Sequence, residues 1–203
     1  SEYIEYHGQA YFFANDGFHG YELWRSDGTE AGTFMVKDLI PGAVGAVPRE
    51  FVVHRDRLYF WTEDGDDAFV VWQSDGTSAG TEPLGRFQRA GYPLLKSTTE
   101  ALFLGFPTRR GALELWSLKD QSRFELVVSL VAESQSSWDF GFLGMAANGG
   151  ELLFLTEEWG YGTDLWITNG TPQGTRRLQR FDSDDGPGLY DSAILGGRLY
   201  FSG

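Results

Sequence analysis

The chain contains no cysteine among its 203 residues. Disulfides, thiolate metal sites and a cysteine nucleophile are excluded together. Histidine is nearly as scarce, at three. His7, His19 and His54 lie in separate turn-like contexts and form neither an HxH nor an HExxH pair. Neither a transition-metal centre nor a histidine-activated serine is indicated. No stretch approaches the roughly 18 consecutive apolar residues of a membrane helix. The opening SEYIEYHGQ lacks the basic-then-apolar layout of a signal peptide, so an exported protein is expected here in processed or trimmed form. Basic residues are also in the minority, 16 Lys plus Arg against 29 Asp plus Glu, for a net charge of −13. A surface this acidic repels phosphate backbones, which argues against nucleic acid as a partner. The pairs Arg109–Arg110 and Arg176–Arg177 are too small to reverse that and read as solvated charges.

What the chain does have is glycine, 27 residues, and aromatics, 16 % including seven tryptophans. Four tryptophans organise the sequence. Trp24, Trp72, Trp116 and Trp166 end the phrases YELW, FVVW, LELW and TDLW, separated by 48, 44 and 50 residues. Upstream lies a second phrase, AYFF, LYFW, ALFL, LLFL and finally LYFS, whose third position is Phe12, Phe60, Phe103, Phe154 and Phe201. A period in the forties points to a repeat architecture. Between the markers the segments are short, aromatic and β-branched, without a sustained helical apolar pattern. The second unit reads as four strands, 51–54, 57–63, 68–74 and 81–87. The first two are joined by a tight turn at Arg55–Asp56 whose counterparts hold His7–Gly8, Asn148–Gly149–Gly150 and Gly196–Gly197.

Four antiparallel strands per unit in tandem describe β-propeller blades. The expectation is an all-β, single-domain chain of about four and a half blades. Its units cover 1–47, 48–92, 93–138, 139–188 and a partial 189–203. The odd half-blade suggests a fragment of a larger ring, with further blades or another chain at the C-terminal edge; a four-bladed ring with an overlapping strand pair is the alternative. Trp24, Trp72, Trp116 and Trp166 are assigned to packing between blades rather than to sugar stacking.

After three of the four tryptophans comes a turn phrase: SDGTEAGT from Ser26, SDGTSAGT from Ser74 and TNGTPQGT from Thr168. Asp27–Gly28, Asp75–Gly76 and Asn169–Gly170 suit an Asx turn in which glycine takes positive φ, with Gly32 doing the same at the loop exit. The Asp-to-Asn exchange at 169 is incompatible with acid–base catalysis, since an amide cannot relay the proton. Unit three, SLKDQSRFELVV, lacks the DGT phrase altogether. The motif therefore reads as structural, and the glycosylation pattern Asn169-Gly170-Thr171 as a coincidence of the turn.

On these phrases, above all NDGFHGYELWRSDGTEAGTFMVKDLIPG over 15–42, the chain resembles the ELWxxDGT-repeat family of bacterial proteins. The resemblance implies a β-propeller in a secreted, periplasmic or cell-surface protein of a kind common in myxobacteria, and it supplies a fold more than an activity. The turn is also similar to the Asp-box of sialidase-type propellers, though with different spacing, so no sialidase activity carries over.

Candidate chemistry lies where the units differ. Three acidic clusters stand out: Glu63, Asp64, Asp66 and Asp67; Glu157 and Glu158; and Asp182, Asp184 and Asp185. Hard oxygen ligands in glycine-bearing loops could hold Ca²⁺, although neither TEDGDD nor FDSDDG matches a calcium loop in register. No cofactor is otherwise called for. Trp138, Trp159 and Tyr161 fall outside the strand-ending positions and could stack on a glycan or anchor a protein partner. Three functions are compatible: a non-catalytic binding or scaffold propeller, a carbohydrate-binding propeller with or without Ca²⁺, and a propeller hydrolase or lyase acting on glycans.

Overall fold

The structure, a computed structural model, describes residues 3–42, 48–65, 67–132, 140–158, 161–181, 191–195 and 198–202, the last two segments through their backbone pairing. Among these residues every regular element is a strand. They form two compact units, Ser1–Gln88 and Arg89–Gly203.

The first unit holds two four-stranded antiparallel sheets. In blade one, β1 (Tyr3–Tyr6), β2 (Gln9–Asn15), β3 (Tyr21–Ser26) and β4 (Phe34–Lys37) pair in chain order. Blade two repeats this with β5 (Pro48–His54), β6 (Arg57–Glu63), β7 (Ala68–Ser74) and β8 (Glu82–Gln88). The first hairpins turn on residues with positive φ, His7 (52°) and Gly8 (72°) in blade one and Arg55 (44°) and Asp56 (60°) in blade two. Such pairs match the strand twist. The core lies between the two sheets. Tyr6, Tyr11, Leu23, Val36 and Leu39 of blade one meet Phe51, Leu58, Phe60 and Trp72 of blade two, with Phe13 stacked on Phe51 at 4.2 Å.

The second unit holds blade three, β9 (Leu94–Ser97), β10 (Leu102–Pro107), β11 (Ala112–Leu118) and β12 (Glu125–Val131). Blade four follows as β13 (Phe140–Asn148), β14 (Glu151–Glu158), β15 (Gly162–Thr168) and β16 (Arg176–Phe181), and a two-stranded sheet as β17 (Asp191–Leu195) and β18 (Arg198–Ser202). Blades three and four share a core of Ala101, Phe103, Leu115, Val127, Leu152 and Phe154, against which Trp166 packs from the half-buried edge.

Every blade carries the same irregularity. The pairing of the third and fourth strands shifts register immediately before the tryptophan, between Leu23 and Trp24, Val71 and Trp72, Leu115 and Trp116, and Leu165 and Trp166. A bulge there bends the outer strand and strengthens its twist. The tryptophan thus marks a backbone device as well as a packing position.

In blade three the strand register overturns the alignment of the sequence phrases. Trp24, Trp72 and Trp166 face Phe12, Phe60 and Phe154 across the sheet, but Trp116 faces Leu104. Phe103 faces Ser117, as Tyr11 faces Arg25, so its counterpart in blade one is Tyr11 rather than Phe12. A one-residue offset sends a side chain to the opposite sheet face. Accordingly Tyr11 and Leu23, like Phe103 and Leu115, point into the core shared with the following blade, whereas Trp72 and Trp166 face the preceding one. Trp24 and Trp116 occupy the faces of β3 and β11 turned away from those two cores.

Candidate functional site

The repeated turn is a closed hydrogen-bond network. Asp27 Oδ1 accepts from the Thr29 amide at 2.9 Å and the Thr29 hydroxyl at 2.7 Å, while Ser26 Oγ accepts from the Gly28 amide at 3.0 Å. Thr29 Oγ1 then accepts from the Gly32 amide at 2.9 Å, and the Thr33 hydroxyl donates back to the Thr29 carbonyl at 2.6 Å. Asp75 and Thr77 of blade two reproduce the carboxylate contacts at 2.9 and 2.7 Å, and Asn169 and Thr171 of blade four at 3.1 and 2.7 Å. An acceptor oxygen is all the turn asks of its first residue. The Thr29 and Thr77 hydroxyls, followed by their amides, hold the carboxyls of Asp27 and Asp75 below their ordinary value.

Two details revise the sequence reading of this turn. Gly28, Gly76 and Gly170 have φ of 89°, 87° and 79°, but Gly32 is outside the positive-φ set. A Cβ on Gly32 would instead collide with the Asp27 carboxylate, as one on Gly80 would with Asp75 and one on Gly174 with the Asn169 amide. Its role is close approach, not backbone conformation. Blade three, moreover, keeps half the device. Asp120 Oδ1 accepts from the Ser122 amide at 3.1 Å and hydroxyl at 2.7 Å, with Gln121 at φ 63° in the glycine's place. The turn also touches the blade before it: a Cβ on Gly76 would strike Tyr11, and one on Gly170 would crowd Phe103 and Lys119. Ser117 Oγ adds a hydrogen bond to the Gly170 carbonyl at 3.1 Å.

At the other end of the blades the contacts of the phrase's acid do not repeat. The residue two before each tryptophan, the acid of the ELW phrase, faces a different environment each time. Glu22 is fully buried and accepts from the Leu39 amide at 2.6 Å, tying the chain that leaves β4. Val70 replaces it in blade two. Glu114 accepts from its own neighbour, Trp116 Nε1, at 3.0 Å. Asp164, one methylene shorter, lies in an open cleft. Sequence patterning does not single out the acid of this phrase, because its partner sits 17 residues away in blade one and differs in every unit.

The cleft has a volume of about 140 Å³ and lies within the second unit, between the end of β12 and one face of blade four. Strand alternation puts Thr156 and Glu158 of β14 on that face, with Gly162, Asp164 and Trp166 of β15 opposite. Glycine across from Glu158 leaves the space open. Arg177 and Arg180 of β16 and Phe140, Leu130 and Val131 complete the lining. The apolar face thus turns polar along its length, from the Phe154–Trp166 stack (6.0 Å) to Thr156 and Asp164 and then to Glu158. Arg177 Nη1 donates to Asp164 Oδ2 at 3.2 Å and Oδ1 at 3.4 Å. Arg180 Nε stands 4.0 Å from Oδ1 while its Nη2 donates to the Tyr161 carbonyl at 2.9 Å. Thr156 and Glu158 are only 2 % and 6 % exposed.

Of the candidates from sequence, Tyr161 is 45 % exposed, and its carbonyl anchors Arg180 beside the cleft. Trp138, Trp159, Asp66, Asp182, Asp184 and Asp185 lie outside the described residues. Asp64 pairs with Arg86. Among the described residues no three His, Asp or Glu side chains converge on a point that could hold a metal ion. Glu157 and Glu158 are sent to opposite faces of β14, and burial pushes the Glu157 carboxyl up.

No protein-family model matches the chain, and neither does any curated protein. Solved structures do. The chain is similar to a prolyl endopeptidase (TM-score 0.66, 13 % identity), covering 99 % of this chain and 32 % of that one. It is also similar to Pyrococcus horikoshii acylaminoacyl peptidase (TM-score 0.56, 14 % identity, 99 % and 35 %). A third likeness is the β-propeller domain of the Trilobed protease from Pyrococcus furiosus (TM-score 0.54, 14 % identity, 98 % and 64 %). The chain spans about a third of the length of the first two. At such identities the likeness speaks to fold, and the fold is that of a β-propeller built from four-stranded antiparallel blades.

Proposed function

We propose that this chain is a non-catalytic β-propeller module that binds its ligand at the strand ends opposite the repeated turns, in an extracellular or envelope-associated protein. The observation that carries the binding role is the contrast between the two ends of the same blades. One end repeats a turn to within about 0.2 Å in blades one, two and four. The other differs from blade to blade in what its acid position holds and touches, and in blade four opens into a cleft with charged walls. A framework is repeated; a recognition surface is individual. The extracellular setting, and membership in the ELWxxDGT-repeat family, rest on the phrases of unit one.

The non-catalytic reading is supported by the double arginine contact to Asp164, which ties up one of the two carboxylates, Asp164 and Glu158, that the cleft brings to one face. It is tested by incubating the chain with 4-nitrophenyl glycosides and chromogenic peptides while mapping ligand-induced amide shifts by NMR. No turnover, with shifts confined to residues flanking 156–166, is expected. Turnover at a rate lost on Glu158→Gln would replace the module with a hydrolase.

A further inference from the structure

We infer, building on the binding-module reading, that the blade-four cleft holds one neutral sugar ring. Its volume, about 140 Å³, is well under the roughly 300–1,000 Å³ typical of larger ligand sites, so it seats a single ring. Its charges balance in number, Asp164 and Glu158 against Arg177 and Arg180. Asp164 is held by Arg177 and approached by Arg180, and Arg180 is held in turn by the Tyr161 carbonyl. A ligand bearing net charge would have to break up a matched pair and leave one member uncompensated. A polyol has no such demand. Guanidinium groups offer five N–H donors each and a carboxylate about four lone-pair sites, so hydroxyls can accept from one and donate to the other with the pair intact.

The remaining walls suit the same ligand. Thr156 Oγ1 accepts from Trp166 Nε1 at 3.0 Å, which leaves its own hydroxyl proton to donate. Trp166 and Phe140 add apolar ring surface of the kind that packs on the C–H face of a sugar. The assembly belongs to blade four alone among the described blades. Glu22 is committed to the Leu39 amide, position 70 is valine, and Glu114 is committed to Trp116.

The experiment is an NMR titration of the full chain with the methyl glycosides of glucose, galactose, mannose and N-acetylglucosamine, against glucuronate and glucosamine, followed at the Trp166 indole N–H and the Gly162 amide. At least one neutral glycoside should shift both signals at millimolar concentration and bind at least about tenfold more tightly than the charged sugars. Arg177→Ala should weaken it by about tenfold or more; should that variant fail to fold, the near-isosteric Asp164→Asn should do the same. Silence of both signals with every neutral glycoside, a preference for a charged sugar, or unchanged binding by the folded variant overturns the assignment. Release of methanol from a bound glycoside would keep the sugar site and overturn the non-catalytic reading instead, so the two failures are separable.

Discussion

Trp72 Nε1 donates to Thr62 Oγ1 at 3.0 Å, across the inner strands of blade two, and Trp166 Nε1 repeats the bond with Thr156 at 3.0 Å in blade four. Each threonine lies two residues beyond the phenylalanine that faces the tryptophan. In blade one that position is Ala14, and the Trp24 indole nitrogen is buried without a hydrogen-bond partner among the described residues. In blade three it is Phe106, and Trp116 turns to Glu114.

Ala14→Thr should therefore supply the missing acceptor and stabilise the protein by about 0.5–1.5 kcal/mol. The reverse operation, Thr62→Val, keeps the shape but strands the Trp72 indole, at a cost of about 1–3 kcal/mol. Urea unfolding of the two variants checks both signs. Destabilisation by Ala14→Thr would mean that the Trp24 indole cannot reach position 14.

The turn makes a second prediction through its glycines. Gly80→Ala forces a Cβ into the Asp75 carboxylate and should cost about 1–3 kcal/mol. Asp75→Asn should be tolerated, as Asn169 shows, whereas Asp75→Ala should loosen the loop. In Asp75→Ala the obstruction is gone, so adding Gly80→Ala should cost less than it does alone. That non-additivity, read from a double-mutant cycle, distinguishes close approach from a φ requirement.

A third concerns pH in the loop after β2. Asp16 accepts from the amides of Phe18 and His19 at 2.9 Å each and pairs with His19 Nδ1 at 2.7 Å. These bonds, the His19 amide first, hold the Asp16 carboxyl down at about 2, and the same carboxylate raises the His19 imidazole. The aspartate's contribution is present above its ordinary pKa of 3.8 and lost as pH falls through about 2; the histidine's is full below its ordinary 6.5 and lost as pH rises through the raised value. An NMR titration should place the His19 midpoint above 6.5, and Asp16→Asn should lower it. An unchanged midpoint in that variant would rule the pair out as its cause.

Much of this was legible in the sequence because blades are local. β6 and β7 fall on 57–63 and 68–74 as the alternation and turn residues of unit two indicate, and the first hairpins of blades one, two and four turn where the paired turn residues stand. Local chemistry fails to show where a substitute does the same job in different letters. Asp120–Gln121–Ser122 builds the Asx turn with glutamine at positive φ, which no propensity favours, and a one-residue offset in blade three disguises Phe103 as the partner of Trp116. The cleft was invisible for a further reason: its walls come from five strands, and only pairing brings Asp164, Arg180 and Glu158 to one face.

The last prediction concerns the acid that gives the ELW phrase its first letter. Glu22 has no exposed surface, and its Oε2 accepts from the amide of the core residue Leu39 at 2.6 Å, past the end of β4. Removing that acceptor leaves a buried N–H unsatisfied, so Glu22→Ala should cost about 1–3 kcal/mol beyond any cavity it opens. Glu22→Gln keeps an acceptor oxygen at the same reach and should recover much of the loss; Glu22→Asp, a methylene short, should not. The Leu39 amide reports this directly by hydrogen exchange, slow in the native protein and in Glu22→Gln and fast in Glu22→Ala and Glu22→Asp. Slow exchange in the aspartate variant would show that the shorter acid can still close the latch. In that case the open position of Asp164 would owe nothing to its length and everything to the two arginines that hold it.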